Sequence, residues 1–437
     1  MNKLNVLTLH RLGNPAKANR SLRKHLFFLQ DHFPEHNYVY HEVSLPFPEY
    51  LKEIHFHAIV LDTTFMGERC FDPAILKRRK RDFAFVKDSN AVVLAFPQDD
   101  YDCHLITDKW MCEWEVDVLF SVIPDRWELL YPKYFQKGEI KLWYTGCVDD
   151  ALLDYPTKPF SRRSIDIGYR AKKLLPTRGR LGETKWTIGR DLKALTEDAD
   201  LKVSIELFPD ASGFLKGDAW LDFINDCKFT LGSNSGSSLL DPVGDVAGAV
   251  RRYLLKRPNA AFEEVAENCF PSEDERHGDF TAISPRALEA ALLRSAQILV
   301  EGDYSGLLTP WDHYLPIKPD ASDFDTVRRS MADVGEVESM IERCREAIAD
   351  CTALRYSVKA REIVKLIHDK YRGPDVDSEA FGRAANLIEE YEKDLRLKKK
   401  LLWAWSDIKQ RVGSFPVVGK ALRKGRDFMR ANRERKS

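Results

Sequence analysis

The feature that most constrains the fold is an alternation of short apolar segments with amphipathic segments, which starts near the N-terminus. Residues 1–148 contain six short β-rich runs, at 5–9, 38–43, 58–61, 91–96, 116–122 and 140–144. Helical patterns lie between several of these runs, as at 20–32 and 73–87. Strands that alternate with helices at this spacing predict a parallel sheet with helices on both faces. Ligands of such sheets bind beyond the carboxyl ends of the strands.

A second series of the same kind follows residues 154–164, a segment rich in Pro, Ser and Arg that is typical of an interdomain linker. Its predicted strands are 165–169, 202–205, 229–231 and 296–300, and its predicted helices are 183–198, 217–225, 243–256, 261–268 and 285–295. After residue 323 only helical patterns remain, at 327–351, 358–370 and 378–396. We therefore predict an α/β protein with an N-terminal domain at 1–153, a second domain at 154–325, a helical extension at 326–391 and a basic amphipathic tail at 392–437.

The net charge of −1 conceals the basic character of this tail. Residues 392–437 contain fifteen Lys or Arg and five Asp or Glu, so the other residues together have a net charge of −11. The tail also contains Trp403 and Trp405 beside three consecutive lysines. A basic helix with Trp and Leu favours the surface of an anionic membrane, although a helix that packs back across the domains remains the alternative. Nucleic acid is not expected as a partner, because the body is acidic and no recognised motif is present.

The cysteines and the hydropathy indicate a cytoplasmic protein. The eight cysteines show neither a CxxC motif nor the spacing of zinc ligands, and they are typical of reduced thiols. No apolar run approaches the roughly 18 residues that a membrane-spanning helix needs, and the N-terminal residues resemble a buried strand rather than a signal peptide. We expect a cytoplasmic protein that is peripheral at the inner face of the membrane.

Basic residues follow the first predicted strand of the second domain. Two glycines, Gly179 and Gly182, interrupt the segment before a helix that is predicted to start near Glu183. Glycines permit a close approach of the backbone, and cations at a helix N-terminus favour phosphate oxygens. The alternative is a solvated basic loop. The basic residues are Lys172, Lys173, Arg178, Arg180 and Lys185.

Small polar residues follow the strand at 229–231. The segment 230–241 places Asn234, Ser235 and Gly236 at the carboxyl end of that strand. A turn of this composition presents N–H groups and hydroxyls that suit a pyrophosphate or a sugar. A plain turn is the alternative.

The segment 283–317 has the highest density of candidate site residues. Ser284 can cap a helix that has Pro285 in its first position, and Arg286 and Glu289 then share one face of that helix. A carboxylate there can accept both hydroxyls of a ribose, while the arginine or the helix end holds phosphate. The alternative is a surface ion pair, which contributes little to stability.

The loop after the strand at 296–300 supplies further candidates. Asp303, Tyr304 and Ser305 are predicted at the carboxyl edge of the sheet, and His313 follows a Pro-Trp turn. A histidine in such a place is more often structural than catalytic.

Acidic residues follow a strand of the first domain. Asp99 and Asp100 come just after the strand at 91–96, and clustered carboxylates can raise one another's pKa and supply a general base for an acceptor hydroxyl. Asp62, Glu113 and Glu115 are second choices. Aspartates that only form turns are the alternative.

Several of these motifs, in this order, resemble those of bacterial GT-B glycosyltransferases of polysaccharide, capsule and O-antigen biosynthesis. The motifs are DIGYRAKKL at 166–174, GRLGETKWTIG at 179–189, LGSNSGSS at 231–238 and SPRALEA at 284–290, and the resemblance extends over about residues 90–366. It implies two Rossmann-like domains that transfer a sugar from a nucleotide-diphosphate sugar to a saccharide or lipid-linked glycan acceptor. The second domain would bind the donor and the first domain the acceptor. A nucleotide-sugar epimerase of the same architecture and a non-catalytic nucleotide-sugar-binding scaffold are the alternatives.

The resemblance also implies roles for individual residues. Glu289 would hold the donor ribose, and Arg170 and Lys185 would face the diphosphate. No metal or other cofactor is expected, because GT-B enzymes usually neutralise the leaving diphosphate with cations and helix ends. Asn234 differs from the proteins that this sequence resembles, which often have an acidic residue at this position. Whether the reaction inverts or retains the anomeric centre stays open. The remaining residues of the implied donor pocket are Lys172, Ser235, Gly236, Ser284, Arg286, Asp303, Tyr304 and Ser305.

Overall fold

The computed structural model describes residues 3–374 apart from 15–17, 46, 49–50, 52–53, 71–72, 211–212 and 216, together with residues 381, 400 and 401. The predicted tail at 392–437 therefore lies outside the described residues, except for Lys400 and Leu401. Among the described helices, none combines the length and the apolar character that a membrane crossing requires.

The first domain contains a six-stranded sheet with the strand order β2-β1-β3-β4-β5-β6, and all of its strand pairs are parallel. Central strands such as β3 and β4 are buried along their whole length, as parallel strands covered on both faces must be. The strands are β1 (Asn5–His10), β2 (Asn37–Glu42), β3 (Ala58–Leu61), β4 (Val92–Ala95), β5 (Val118–Ser121) and β6 (Glu139–Leu142). The helices are α1 (Arg20–His32), α2 (Thr63–Met66), α3 (Pro73–Asp82), α4 (His104–Glu113) and α5 (Trp127–Leu130).

The second domain contains a five-stranded parallel sheet and a separate antiparallel hairpin. The sheet has the order β13-β12-β9-β7-β8. Strand β10 pairs with β11 although two helices separate them in the chain, and we call this antiparallel pair the hairpin. The strands are β7 (Ile165–Lys172), β8 (Val203–Phe208), β9 (Cys227–Gly232), β10 (Ser235–Leu239), β11 (His277–Ala282), β12 (Ala296–Val300) and β13 (Leu315–Ile317). The helices are α6 (Gly179–Leu195), α7 (Asp218–Asp226), α8 (Asp245–Lys256), α9 (Phe262–Cys269), α10 (Pro285–Leu292), α11 (Phe324–Met331), α12 (Val334–Asp350) and α13 (Tyr356–Lys370). The predicted α/β class with two parallel-sheet domains is confirmed.

Some predicted elements were wrong in detail. The polar segment after β9 is a strand of the hairpin and not a turn, and Gly236 is required there because a Cβ would lie 2.1 Å from the carbonyl oxygen of Phe280. Helix α6 begins at Gly179, and both glycines of the predicted loop therefore lie within the helix. The φ of Gly179 is +62°, which only glycine adopts readily. The predicted helix at 327–351 is two helices, and β13 was not predicted.

The C-terminal helices pack against both domains. Val327 and Met340, on α11 and α12, are buried in the core of the second domain, beside the sheet residue Ile298. Helix α13 returns to the first domain, where Tyr356 and Ile363 are buried in its core. The domain boundaries given above stay a prediction.

The segment that follows β10 contacts the first domain through its backbone. The N–H of Cys103 donates to the carbonyl oxygen of Asp241 at 2.6 Å, and the N–H of Asp241 donates to the carbonyl oxygen of Tyr101 at 3.0 Å. Phe280 of β11 is fully buried in the core of the first domain. These contacts bring the loop after β4 against the second domain, and we call the space between the carboxyl edges of the two sheets the interdomain cleft.

Candidate functional site

Two cations of the second domain, Lys185 on α6 and Arg286 on α10, lie at its carboxyl edge, and neither forms an ion pair with a described Asp or Glu. The negative charges of Asp99 and Glu289 nevertheless act on them, Asp99 on Lys185 and Glu289 on Arg286. The guanidinium of Arg286 donates to the carbonyl oxygen of Arg170 at 2.9 Å, and it lies over the rings of Tyr169 and Trp220, at 5.2 and 5.1 Å from their centroids. Burial and the positive charge of Arg286 lower the pKa of Lys185 to about 8. Two neighbouring cations that repel each other form a site with affinity for an anion.

Glu289 lies one helical turn beyond Arg286. The indole N–H of Trp220 donates to its Oε2 at 2.7 Å. Burial raises the pKa of Glu289, against the opposing effects of that hydrogen bond and of the positive charge of Arg20. Glu289 lines a narrow recess, open to solvent, between α10 and the first turns of α1, where Arg20 and Lys24 contribute. The free oxygen of Glu289 can accept a hydrogen bond from a hydroxyl group.

Arg286 lines a second narrow recess. Ser284, Ser233 and Gly232 line it, at the carboxyl end of β9. Ser284 is the N-cap residue of α10, but its side chain makes no capping hydrogen bond. Its hydroxyl therefore remains available to a ligand. Asn234 is buried next to this recess, beside Gly302.

The side chains of Arg170 and Lys172 lie away from these groups. Arg170 pairs with Glu206 of β8 at 2.7 Å and donates to the carbonyl oxygen of Gly213 at 2.8 Å. Lys172 lies over the ring of Phe214. Successive side chains of a strand point to opposite faces of the sheet. Tyr169 points toward α6, where its hydroxyl donates to the carbonyl oxygen of Lys185, so the side chain of Arg170 points to the opposite face. Only the backbone carbonyl of Arg170 contacts the site cation Arg286.

The hairpin and the loop after β12 hold several predicted site residues in structural contacts. Ser235 and Gly236 pair with β11. Tyr304 is fully buried and donates to the carbonyl oxygen of Val300 at 2.6 Å. The hydroxyl oxygen of Ser305 accepts from the N–H of Ile283 at 3.0 Å, which connects this loop to the start of α10.

Asp303 and His313 stabilise their own turns. Asp303 accepts from the N–H of Gly306 at 2.8 Å, and His313 accepts from the N–H of Thr309 at 2.9 Å through Nδ1. The other ring nitrogen of His313 lies 3.4 Å from Asp312. Both ring nitrogens thus have local partners, as the structural alternative expects.

The acidic candidates of the first domain differ strongly in environment. Asp99 faces Arg178 of the second domain at 3.1 Å and accepts from the hydroxyl of Tyr101 at 2.7 Å. Burial opposes the ionisation of Asp99, but Arg178 and Tyr101 outweigh it and lower its pKa. Asp100 is only 1% exposed and accepts from the hydroxyl of Tyr131 and from a backbone N–H. Burial, opposed by Tyr131, raises its pKa to about 6.

Asp62 caps a helix. It accepts from the N–H of Thr64 at 2.8 Å and lies 3.7 Å from the ring of His25, and it is 2% exposed. Neither Asp62 nor Asp100 is open to the interdomain cleft. The assignment of a catalytic base to Asp99 or Asp100 stays a prediction.

Sequence reasoning missed two residues of the site region, Trp220 and Arg20, and it missed the partners of Arg178, which it had named only as one of the basic residues after β7. Arg178 joins the domains: it contacts Asp99 and, at 2.6 Å, Asp102, and it lies 4.6 Å from the ring centroid of Tyr101. Trp220 and Arg20 flank Glu289 from α7 and from the first domain. No local pattern distinguishes these side chains, because their partners come from distant parts of the chain. Among the described residues, no group of three or more His, Cys, Asp or Glu side chains is arranged to hold a metal ion.

Comparisons with known proteins show similarity in structure. No protein-family profile matches the chain, and no curated protein matches its sequence. An alpha-glucosyltransferase solved with UDP and a 13-mer DNA containing an HMU base is similar over 84% of this chain and 100% of its own, with 8% identity and a TM-score of 0.50. HepE of Anabaena, solved with UDP-glucose, covers the same shares with 9% identity and a TM-score of 0.45. The chain therefore has the α/β fold with two Rossmann-like domains that GT-B glycosyltransferases share.

Proposed function

We propose that this protein is a glycosyltransferase that moves a sugar from a nucleotide-diphosphate sugar to a saccharide or lipid-linked glycan acceptor. The observation that carries the proposal is the combination of Lys185 and Arg286, two neighbouring cations that repel each other and form no ion pair with a described Asp or Glu, with Glu289 one helical turn beyond Arg286. A diphosphate can accept charge-assisted hydrogen bonds from the two cations, and a ribose supplies hydroxyls for the carboxylate. The similar alpha-glucosyltransferase was solved with UDP, which makes UDP-sugars the first donors to test.

The proposed chemistry follows from where charge develops. When the bond from the sugar to the diphosphate breaks, negative charge accumulates on the departing phosphate oxygens. Lys185 and Arg286 are already fixed beside that position and stabilise this charge without a metal ion. The first domain presents the acceptor, and the buried contacts between the segment that follows β10 and the loop after β4 hold the two domains together during the reaction.

The test is a donor panel. Purified protein is titrated calorimetrically with UDP, GDP, CMP and dTDP, and the corresponding nucleotide-sugars are then incubated with and without glycan acceptors. We expect one nucleotide to bind, and its release to depend on an acceptor. Conversion of the donor without an acceptor would instead indicate an epimerase, and binding without any turnover would indicate the scaffold.

Two variants assign the binding to this site. Arg286→Ala and Glu289→Gln should each weaken nucleotide binding about tenfold, because each removes a charge-assisted hydrogen bond. The matched control is Arg190→Ala, which removes an exposed arginine of α6 that pairs only with its neighbour Asp191. Equal affinity in Arg286→Ala and the wild type would contradict the placement of the diphosphate.

The role in cell-surface polysaccharide biosynthesis and the membrane contact belong to the same proposal. Support comes from the motif resemblance and from the basic composition of residues 392–437. Flotation with anionic liposomes should recover the full chain, and deletion of residues 392–437 should abolish that recovery. Unchanged flotation of the truncated protein would contradict the role of the tail.

A further inference from the structure

The side-chain oxygen of Asn234 is buried without a hydrogen-bond partner among the described residues. Asn234 is 4% exposed, and its Oδ1 accepts no hydrogen bond from the described residues. An unsatisfied buried polar group destabilises a protein by about 1–3 kcal/mol, so such a group is retained where it has another use. A ligand that binds beside it would supply the missing partner.

The position of Asn234 relates it to the proposed donor site. Strands β9 and β12 are parallel neighbours, and Leu299 pairs with Gly232 just before both strands end. Asn234 and Gly302 each lie two residues beyond the end of their strand. A Cβ on Gly302 would lie 2.7 Å from Nδ2 of Asn234, and Gly302 itself is exposed. The amide therefore lies against Gly302, which has no side chain, at the carboxyl edge of the sheet.

The amide of Asn234 differs from the two cations in the hydrogen bonds that it can form. Lys185 and Arg286 can only donate, which suits phosphate oxygens that can only accept. An amide both donates and accepts, and so does a hydroxyl group. Ser233, the neighbour of Asn234, lines the recess that also contains Arg286, so the amide is adjacent to the proposed diphosphate position.

We propose that Asn234 is a specificity residue that hydrogen-bonds a hydroxyl of the transferred sugar, and that Gly302 is required to leave room for its amide. The inference rests on the proposed function and extends it from the nucleotide to the sugar. It requires a donor sugar that has a hydroxyl group at the position that the amide contacts.

The experiment compares each nucleoside diphosphate with its own sugar conjugate. Calorimetric affinities for UDP and UDP-glucose, and for GDP and GDP-mannose, are measured with wild type, Asn234→Ala and Gly302→Ala. We expect both variants to weaken binding of the nucleotide-sugar about tenfold, while the affinity for the free diphosphate changes less than about twofold. Gly302→Ala retains the asparagine and displaces only its amide, so it tests the geometry if Asn234→Ala is too unstable to purify.

The matched control is Asn225→Ala. Asn225 is also buried, but its amide donates to the carbonyl oxygen of Pro156 and accepts from the N–H of Lys158. Its replacement should lower the thermal midpoint without changing the ratio of the two affinities.

Deoxy analogues of the bound nucleotide-sugar locate the contact. The wild type should bind one deoxy analogue about tenfold more weakly than the parent, and Asn234→Ala should bind both equally, which is the signature of a direct interaction in a double-mutant cycle. Equal weakening of diphosphate and nucleotide-sugar by Asn234→Ala, or no weakening of either, would overturn the inference while the proposed function stands. Failure of the wild type to bind any nucleotide would overturn both.

Discussion

Replacement of Lys185 by methionine should stabilise the folded protein and weaken nucleotide binding at the same time. Methionine has about the length of lysine and no charge, so the packing along the stem of the side chain is retained. The replacement removes a charge that burial and Arg286 disfavour in the folded protein. Replacement of a residue whose only role is structural would not raise the stability of the protein while it weakens nucleotide binding.

The magnitude follows from the pKa. A fall in the pKa of Lys185 from 10.5 to about 8 corresponds to a cost of about 3 kcal/mol for holding the charged form in the folded protein. This cost is fully present below pH 8, decreases between pH 8 and 10.5 as the unfolded state binds more protons than the folded state, and vanishes above. Lys185→Met should therefore raise the free energy of unfolding by up to about 3 kcal/mol at pH 7, and by much less at pH 10. Loss of a cation beside a diphosphate should weaken nucleotide binding about thirtyfold.

Urea unfolding at pH 7 and pH 10 measures the stability, and calorimetric titration at pH 7 measures the affinity. Lys193→Met is the control, because Lys193 is an exposed lysine on the same helix. In the wild type, nucleotide affinity should fall as the pH rises above about 8, and Lys185→Arg should remove this dependence, since arginine stays charged. A Lys185→Met variant that is less stable at pH 7, or that binds nucleotide as tightly as the wild type, would refute the reasoning.

Three further variants test the structure around the site. Arg178→Ala should lower the free energy of unfolding by about 3 kcal/mol in urea titrations, because Asp99 and Asp102 of the first domain lose their cation. An unchanged free energy of unfolding would show that this contact between the domains contributes nothing to stability. Gly236→Ala, with a φ of +130° and backbone atoms in the way, should lower the thermal midpoint by several degrees, whereas Gly67→Ala in open space should not. Burial raises the pKa of the Asp100 carboxyl to about 6, so ionisation of this group destabilises the folded wild type as the pH rises from about 4 to 7. Asp100→Asn should therefore become more stable than the wild type over this range in urea titrations. It should lose turnover only if Asp100 is the catalytic base.

The strands and most helices were predictable because their signals are local. Strand β3 and helix α1 have the predicted bounds, since an apolar run and a helical period depend on neighbouring residues only. The hairpin was missed because β11 reads HGDFTA, a polar segment that becomes a strand only through its pairing with β10 and its burial against the first domain.

The sequence by itself determined the α/β class, the two parallel-sheet units and the presence of Lys185, Arg286 and Glu289 near the carboxyl edge of the second unit. Only the tertiary structure decided which of these side chains meet. Arg170 has the basic character expected of a phosphate ligand, yet the register of β7 and β8 places it against Glu206. The physical reason is that charge and periodicity belong to each residue and its neighbours, whereas ion pairing, burial and pKa depend on partners that the fold brings from distant parts of the chain.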